Sequence, residues 1–297
     1  MSTRQAIIRM TLLLSLLAGA SACTPSVQSL PTLTALPPTS TPMPGNTPTP
    51  LLPTETPFPT PLTCLTQPGR VEEDQLETTN PPQAYFIYLP PCYDEKIDKR
   101  YPVLYLLHGQ TYTADQWIRL GAVSALDNFI LSGESQPFIV VFPDDRYWNL
   151  PPGAGFGQRL VNDLIPYIDS TYRTFPDRNH RAIGGMSRGA GWALRLGFTR
   201  WDLFSVIGLH SLAVFQGDAS KIDAWIADIP PSLQPSLFMD IGDDDQELVE
   251  AIAVEAQFAE NGLAHEWHRY SGAHTEEYWS AHVNEYIEWY AAQWNAQ

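Results

Sequence analysis

Cations are scarce in this chain: 17 lysines and arginines stand against 33 aspartates and glutamates, a formal net charge of -16 over 297 residues. A field of that sign repels phosphate backbones and anionic lipid headgroups, which excludes nucleic acid and an anionic membrane surface as partners. The acidity itself reads as a solubilising surface rather than a binding patch. Cysteine is scarcer, with three residues. No second Cys or His pair lies at ligand spacing beside them, so no metal is expected, and nothing implies an organic cofactor. The apolar stretch near the N-terminus, residues 10–18, falls short of the roughly 20 residues that a permanent membrane-spanning helix needs. No repeat of fixed period is visible.

What is present begins with a leader. Arg4 and Arg9 precede the apolar stretch, which only Thr11 and Ser15 interrupt, and small residues follow over 19–22. Residues 1–22 therefore read as a secretory signal peptide. The order Ala20-Ser21-Ala22-Cys23 resembles a bacterial lipoprotein signal, in which Cys23 would be acylated as the first residue of the mature chain. A leucine is usual where Ala20 stands, and plain cleavage nearby is the alternative. Residues 23–63 are dominated by Thr, Pro, Ser and Leu, with runs such as Thr47-Pro48-Thr49-Pro50. Proline removes donors and fixes φ, so this segment reads as an extended, disordered spacer. The chain is expected to be extracytoplasmic, either a cell-surface lipoprotein or secreted, with membrane contact only through the N-terminal lipid. In an exported chain, Cys64 and Cys92, which flank the first predicted strand, are expected to form a disulfide.

Residues 64–297 have the size and apolar content of one globular domain. Strand-like runs at 85–89, 103–107, 138–142, 181–184, 204–209 and 237–241 alternate with helical patterns at 160–168, 190–198 and 248–258. Wholly apolar strands imply a sheet covered on both faces, and the alternation implies a mostly parallel, doubly wound α/β sheet flanked by helices.

Within that pattern, Gly185-Met186-Ser187-Arg188-Gly189 follows a short strand and opens a helix rich in small residues. A sharp strand-to-helix turn of this kind exposes a serine, and the glycines let strand and helix approach. Serine needs a base within hydrogen-bond reach and a carboxylate to hold that base in the right tautomer. His274 lies in a glycine-containing loop between a predicted strand at 264–270 and a final helix around 279–289, whereas His180, His265, His268 and His282 stand in less suitable settings. For the acid, a strand ending at Gly242 is followed directly by Asp243, Asp244 and Asp245, and on these residues alone the choice stays open. An oxyanion site needs two main-chain N–H groups, one after the nucleophile and one from a loop after an earlier strand; Arg188 and Gln110 are assigned to it.

Together, the segment 101–109 ending His108-Gly109, the elbow at 185–189, Gly242-Asp243-Asp244-Asp245 and Gly272-Ala273-His274 resemble the esterase family of esterase D (S-formylglutathione hydrolase), feruloyl and acetyl-xylan esterases, enterochelin esterase and the mycolyltransferases. The resemblance spans about residue 64 to the C-terminus. It implies the α/β-hydrolase fold, and its acid, often three residues after a strand-end glycine, would be Asp245. Two positions depart from the pattern: Ala190 replaces a second glycine after the elbow, and Gln110 stands where some members carry a longer glycine-rich loop. The expected activity is carboxylic-ester hydrolysis through an acyl-enzyme on a small-molecule or polysaccharide ester, feruloylated or acetylated. The rivals are an acyltransferase of the mycolyltransferase type and a non-catalytic tethered carbohydrate-binding module. Trp117, Tyr147, Trp148, Trp192 and Trp279 are candidates to line a cleft or to pack the core. Oligomeric state is not legible.

Overall fold

A sheet whose strands are apolar along their whole length must be covered on both faces. The computed structural model describes residues 63–147 and 155–295; the expected signal peptide, Cys23, most of the spacer and Trp148 lie outside the described residues. Among these, eight strands form one sheet: β1 (Arg70–Leu76), β2 (Gln83–Leu89), β3 (Val103–Leu107), β4 (Ile139–Pro143), β5 (Arg181–Met186), β6 (Val206–His210), β7 (Ser236–Gly242) and β8 (Glu266–Tyr270). Their spatial order is β1-β2-β4-β3-β5-β6-β7-β8. From β4 to β8 every neighbouring pair is parallel, while β1 and β2 run antiparallel at one edge. Strands β3, β4, β5 and β6 are buried at every residue.

The covering helices are α1 (Gln116–Arg119), α2 (Ala122–Ser132), α3 (Phe156–Arg159), α4 (Ile165–Thr171), α5 (Arg188–Thr199), α6 (Ile222–Asp228), α7 (Leu248–Glu260) and α8 (Glu276–Asn295). A wide helical turn, Leu160–Leu164, joins α3 to α4. Because strand side chains alternate between faces, Val103, Tyr105 and Leu107 pack with α4, α5, α6 and α7, whereas Leu104 and Leu106 pack with α1, α2 and α8. No helix among the described residues is long and apolar enough to cross a membrane.

The strands and helices expected from sequence all occur, with ends shifted by a few residues. Strand β1 was not expected. Its sequence, Arg-Val-Glu-Glu-Asp-Gln-Leu, is largely exposed, as suits an edge that charge protects from pairing with other chains. Cys64 and Cys92 are bonded, with Cα atoms 5.0 Å apart. They bracket β1 and β2 together rather than a single strand, and so fasten the antiparallel edge.

Candidate active site

Ser187 sits between β5 and α5 with φ 54° and ψ -121°, a region that non-glycine residues adopt at a cost and that the surroundings must enforce. Here the main chain holds it. Its N–H donates to the His210 carbonyl at 2.9 Å, and its carbonyl accepts from Gly191 N–H at 3.1 Å. The crossing is too tight for side chains: a β-carbon on Gly189 would stand 2.2 Å from the Leu107 carbonyl oxygen, and one on Gly185 would stand 2.4 Å from the Gly189 carbonyl carbon.

The loop between β8 and α8 brings His274 to this serine, with Nε2 at 2.7 Å from Ser187 Oγ. On the other side of the ring, Nδ1 lies 2.9 Å from each carboxylate oxygen of Asp245, in the turn between β7 and α7. A carboxylate can only accept, so Nδ1 carries the ring proton and Nε2 is left to accept the Ser187 hydroxyl. Asp245 is the one member of its triplet that is buried. Asp243 Oδ1 accepts Gly272 N–H at 2.9 Å, and Asp244 N–H donates to the Gly272 carbonyl at 2.8 Å. Both neighbours thus pin the loop that carries His274, while the third faces its imidazole. Burial pushes the Asp245 carboxyl upward, but hydrogen bonds from His274, from Glu247 N–H and from the Ser211 hydroxyl outweigh it, holding the group below the usual carboxylate range.

The candidate oxyanion loop is built by residues that sequence reasoning missed. Gly109 N–H donates to the buried side chain of Gln116 at 2.8 Å, so that amide is committed elsewhere. Residues 109–112 form a turn closed by Tyr112 N–H on the Gly109 carbonyl at 3.4 Å, with Thr111 at φ 71°. That turn bond does not use the amide of Gln110, which lines the cleft beside Ser187 and Arg188. His108 Nε2 accepts Asp145 N–H at 2.8 Å; its proton is therefore on Nδ1, which donates to the Gly109 carbonyl at 2.8 Å. The Arg188 side chain is anchored at the buried Asp145, 2.8 Å from Nε, which also accepts Trp192 Nε1–H at 2.9 Å. Asp145 itself is raised, by burial against the partly offsetting charge of Arg188.

Ser187 and His274 open onto a cleft of about 510 Å³ whose walls include Tyr112, Val214, Phe215, Gln246, Glu247 and Trp279. Of the aromatics flagged from sequence, Trp279 lines this cleft, edge-on to His274 at 5.0 Å. Trp192 lies behind Phe215 at 5.0 Å, Tyr147 is half-buried, and Trp117 is a core residue whose indole N–H reaches the Leu107 carbonyl at 2.9 Å. Ser211 was also missed: it accepts Trp279 Nε1–H at 2.9 Å and supports Asp245. No pattern in the sequence marks a buried glutamine or serine as a prop for a neighbouring loop. Among the described residues, no group of three or more His, Cys, Asp or Glu side chains is placed to hold a metal ion.

Comparison with known proteins is consistent with this geometry. The sequence profile of the family described as "Putative esterase" matches residues 77–290. An endo-1,4-beta-xylanase/feruloyl esterase of Xylanibacter ruminicola is 29% identical over 211 residues, which is 64% of this chain and 28% of that protein. Endo-1,4-beta-xylanase Y of Acetivibrio thermocellus is 30% identical over 149 residues, 46% of this chain and 13% of that protein. The chain thus spans less than a third of the length of either relative. Among solved structures, a ferulic acid esterase superposes with a TM-score of 0.68 at 25% identity, covering 77% of this chain and all of that one. The S-formylglutathione hydrolase of Staphylococcus aureus, at 16% identity and a TM-score of 0.60, covers 75% of this chain and 97% of its own and shares the fold.

Proposed function

The chain belongs to the "Putative esterase" family, and from that premise we propose that it is a serine carboxylic-ester hydrolase working through an acyl-enzyme. The observation that carries the reading is the continuous chain from Ser187 Oγ through His274 to the buried carboxylate of Asp245, with spacings of 2.7 and 2.9 Å, at the floor of an open cleft. In this reading Ser187 Oγ attacks the ester carbonyl while its proton passes to His274 Nε2. Asp245 stabilises the imidazolium that forms. The main-chain amides of Gln110 and Arg188 receive the oxyanion. Collapse of the tetrahedral intermediate returns the proton from Nε2 to the leaving alcohol. Water then repeats the sequence in reverse roles and releases the acid.

The substrate class we propose is a feruloyl- or acetyl-polysaccharide or a small acyl ester met outside the cytoplasm. Relatives that carry feruloyl esterase and xylanase names support it, as do the aromatic and aliphatic cleft walls. Export with acylation at Cys23 and a spacer to lift the domain from the membrane completes the reading, and the Cys64–Cys92 disulfide suits it.

The test is labelling of the domain with a fluorophosphonate, wild type against Ser187→Ala. Labelling that disappears in the variant is the expected result, followed by hydrolysis of p-nitrophenyl acetate and methyl ferulate. Folded wild-type protein that takes no label would overturn the proposal and favour the carbohydrate-binding alternative.

A further inference from the structure

Beneath the candidate triad lies a second chain of hydroxyl, imidazole and carboxylate. His210 and Asp240 stand opposite each other in the register of β6 and β7, and neither side chain is exposed. His210 Nδ1 lies 2.7 Å from Asp240 Oδ1. The other oxygen of Asp240 accepts the Tyr278 and Tyr286 hydroxyls at 2.6 and 2.7 Å. Tyr290 closes the set, its hydroxyl 3.0 Å from His210 Nε2. That hydroxyl rests directly on the sheet: a β-carbon on either Gly184 or Gly208 would stand 1.8 Å from it, so two neighbouring strands lack side chains at the spot where Tyr290 ends. Burial, reinforced by the charge of Asp240, pushes all three phenols upward; Tyr278 and Tyr286 donate to Asp240, the acceptor they share, while Tyr290 meets His210.

No solvent or substrate reaches this cluster, so it does no chemistry of its own. Its connections lead to the site instead. The His210 carbonyl takes the N–H of Ser187, and the Asp240 carbonyl takes the N–H of Ser211 at 2.9 Å. Ser211 in turn supports Asp245 and holds Trp279. Tyr278 lies four residues beyond His274, and a β-carbon on Gly272 would stand 2.7 Å from its ring, so the base loop lies against a side chain tethered to Asp240. Each member of the triad is therefore linked, through one or two intervening residues, to the His210–Asp240 pair.

We propose that His210 and Asp240, with the three tyrosines, are positioning residues that fix the nucleophile elbow, the acid turn and the base loop relative to one another. Apolar side chains of equal volume would fill the space, and such replacement of a buried polar cluster often costs no stability. What they would lack is direction, because hydrogen bonds hold angles and distances that packing leaves softer. The inference rests on the hydrolase reading of Ser187, His274 and Asp245.

The test compares wild type with Asp240→Asn, Tyr278→Phe and Tyr290→Phe in p-nitrophenyl acetate hydrolysis. Rates are expressed per site titrated by fluorophosphonate, so that unfolded protein is not counted. Misplacement of reacting groups acts on the transition state, so kcat per site should fall about tenfold or more in Asp240→Asn while KM stays within about twofold. Fluorophosphonate inactivation should slow in parallel, with smaller losses for the tyrosine variants. Unchanged kcat per titrated site alongside a lowered Tm would overturn the proposal and leave the cluster a stabilising one. Should Asp240→Asn fail to fold, Tyr290→Phe, which removes a single hydroxyl, decides by the same criterion. Wild type that hydrolyses ester while the variants match it per site defeats this inference alone; wild type that takes no label and hydrolyses nothing defeats the underlying reading.

Discussion

Gly189→Ala is the smallest perturbation that tests how the candidate oxyanion site is built. The glycine lies in the first turn of α5, where the added methyl group would meet main chain only: the Leu107 carbonyl oxygen at 2.2 Å, its carbonyl carbon at 2.6 Å and the His108 carbonyl oxygen at 2.8 Å. No flexible side-chain tip is available to swing away, so the strand end has to retreat. Reaching ordinary contact near 3.4 Å requires a shift of about 1 Å, and misplacement on that scale costs on the order of 100-fold in rate. Because 107–110 is the segment that presents the Gln110 amide, loss of its donor geometry raises the figure towards about 1,000-fold. The assay is p-nitrophenyl acetate hydrolysis per titrated site, with circular dichroism to establish folding. Gly133→Ala is the control, since its φ of 81° is strained but nothing lies within 4 Å of the added carbon; it should lose about 1 kcal/mol of stability and keep its kcat. A folded Gly189→Ala enzyme with wild-type kcat would refute the claim that this contact sets the loop.

Other substitutions probe different links. Gln116→Leu strips the acceptor from Gly109 N–H and the donor from Glu276, 3.2 Å away; stability to urea should fall by about 1–3 kcal/mol for the stranded amide, with kcat lowered and KM little changed. Replacing both Cys64 and Cys92 by alanine opens a loop of sequence separation 28, and chain-entropy arguments put the loss at about 3–4 kcal/mol in chemical unfolding with kcat retained, because the bond lies at the β1 edge. Asp245→Asn keeps the shape but offers Nδ1 an amide, turning His274 to the wrong tautomer, so kcat should drop about 10⁴-fold. The same variant carries a pH signature: a carboxyl whose folded value is depressed stabilises the fold above its unfolded value near ~3.9, and that contribution is lost as pH falls through the lower folded value. The stability difference between wild type and Asp245→Asn should therefore be full at neutral pH and shrink below about pH 4.

What sequence conveyed most clearly was what periodicity and local chemistry encode. The apolar runs of β3, β4 and β6 required burial on both faces, and the elbow at Ser187 could be placed because strand, turn and helix occur in consecutive residues. His274 stood out because its loop follows a strand and precedes a helix. Residues whose role depends on a distant partner left no such trace. Gln116 meets Gly109 through a fold-dependent approach, Ser211 reaches Asp245 from another strand end, and His210 finds Asp240 only through the register of two parallel strands 30 residues apart. Strand β1 was hidden for a different reason: its charged, one-sided pattern is that of an edge, where protection from aggregation outweighs β-propensity.

The three adjacent aspartates show where local reading stops and packing takes over. As sequence, Asp243, Asp244 and Asp245 are interchangeable, and only resemblance to a family chose among them. In the structure the three differ in what they contact. The turn that carries Asp245 and the loop that carries His274 pack main chain to main chain, so closely that a β-carbon on Gly242 would stand 2.2 Å from the Gly272 carbonyl oxygen. At that approach the first carboxylate is taken by Gly272 N–H and the second residue by the Gly272 carbonyl, and both side chains remain at the surface. The chain turns inward only at the third, where the Glu247 amide and the Ser211 hydroxyl complete the shell around a carboxylate already facing His274. A carboxylate at 243 or 244 therefore has no path to the imidazole without unpicking the contact that positions it. Neither neighbour should rescue Asp245→Asn, however concentrated the negative charge around the base.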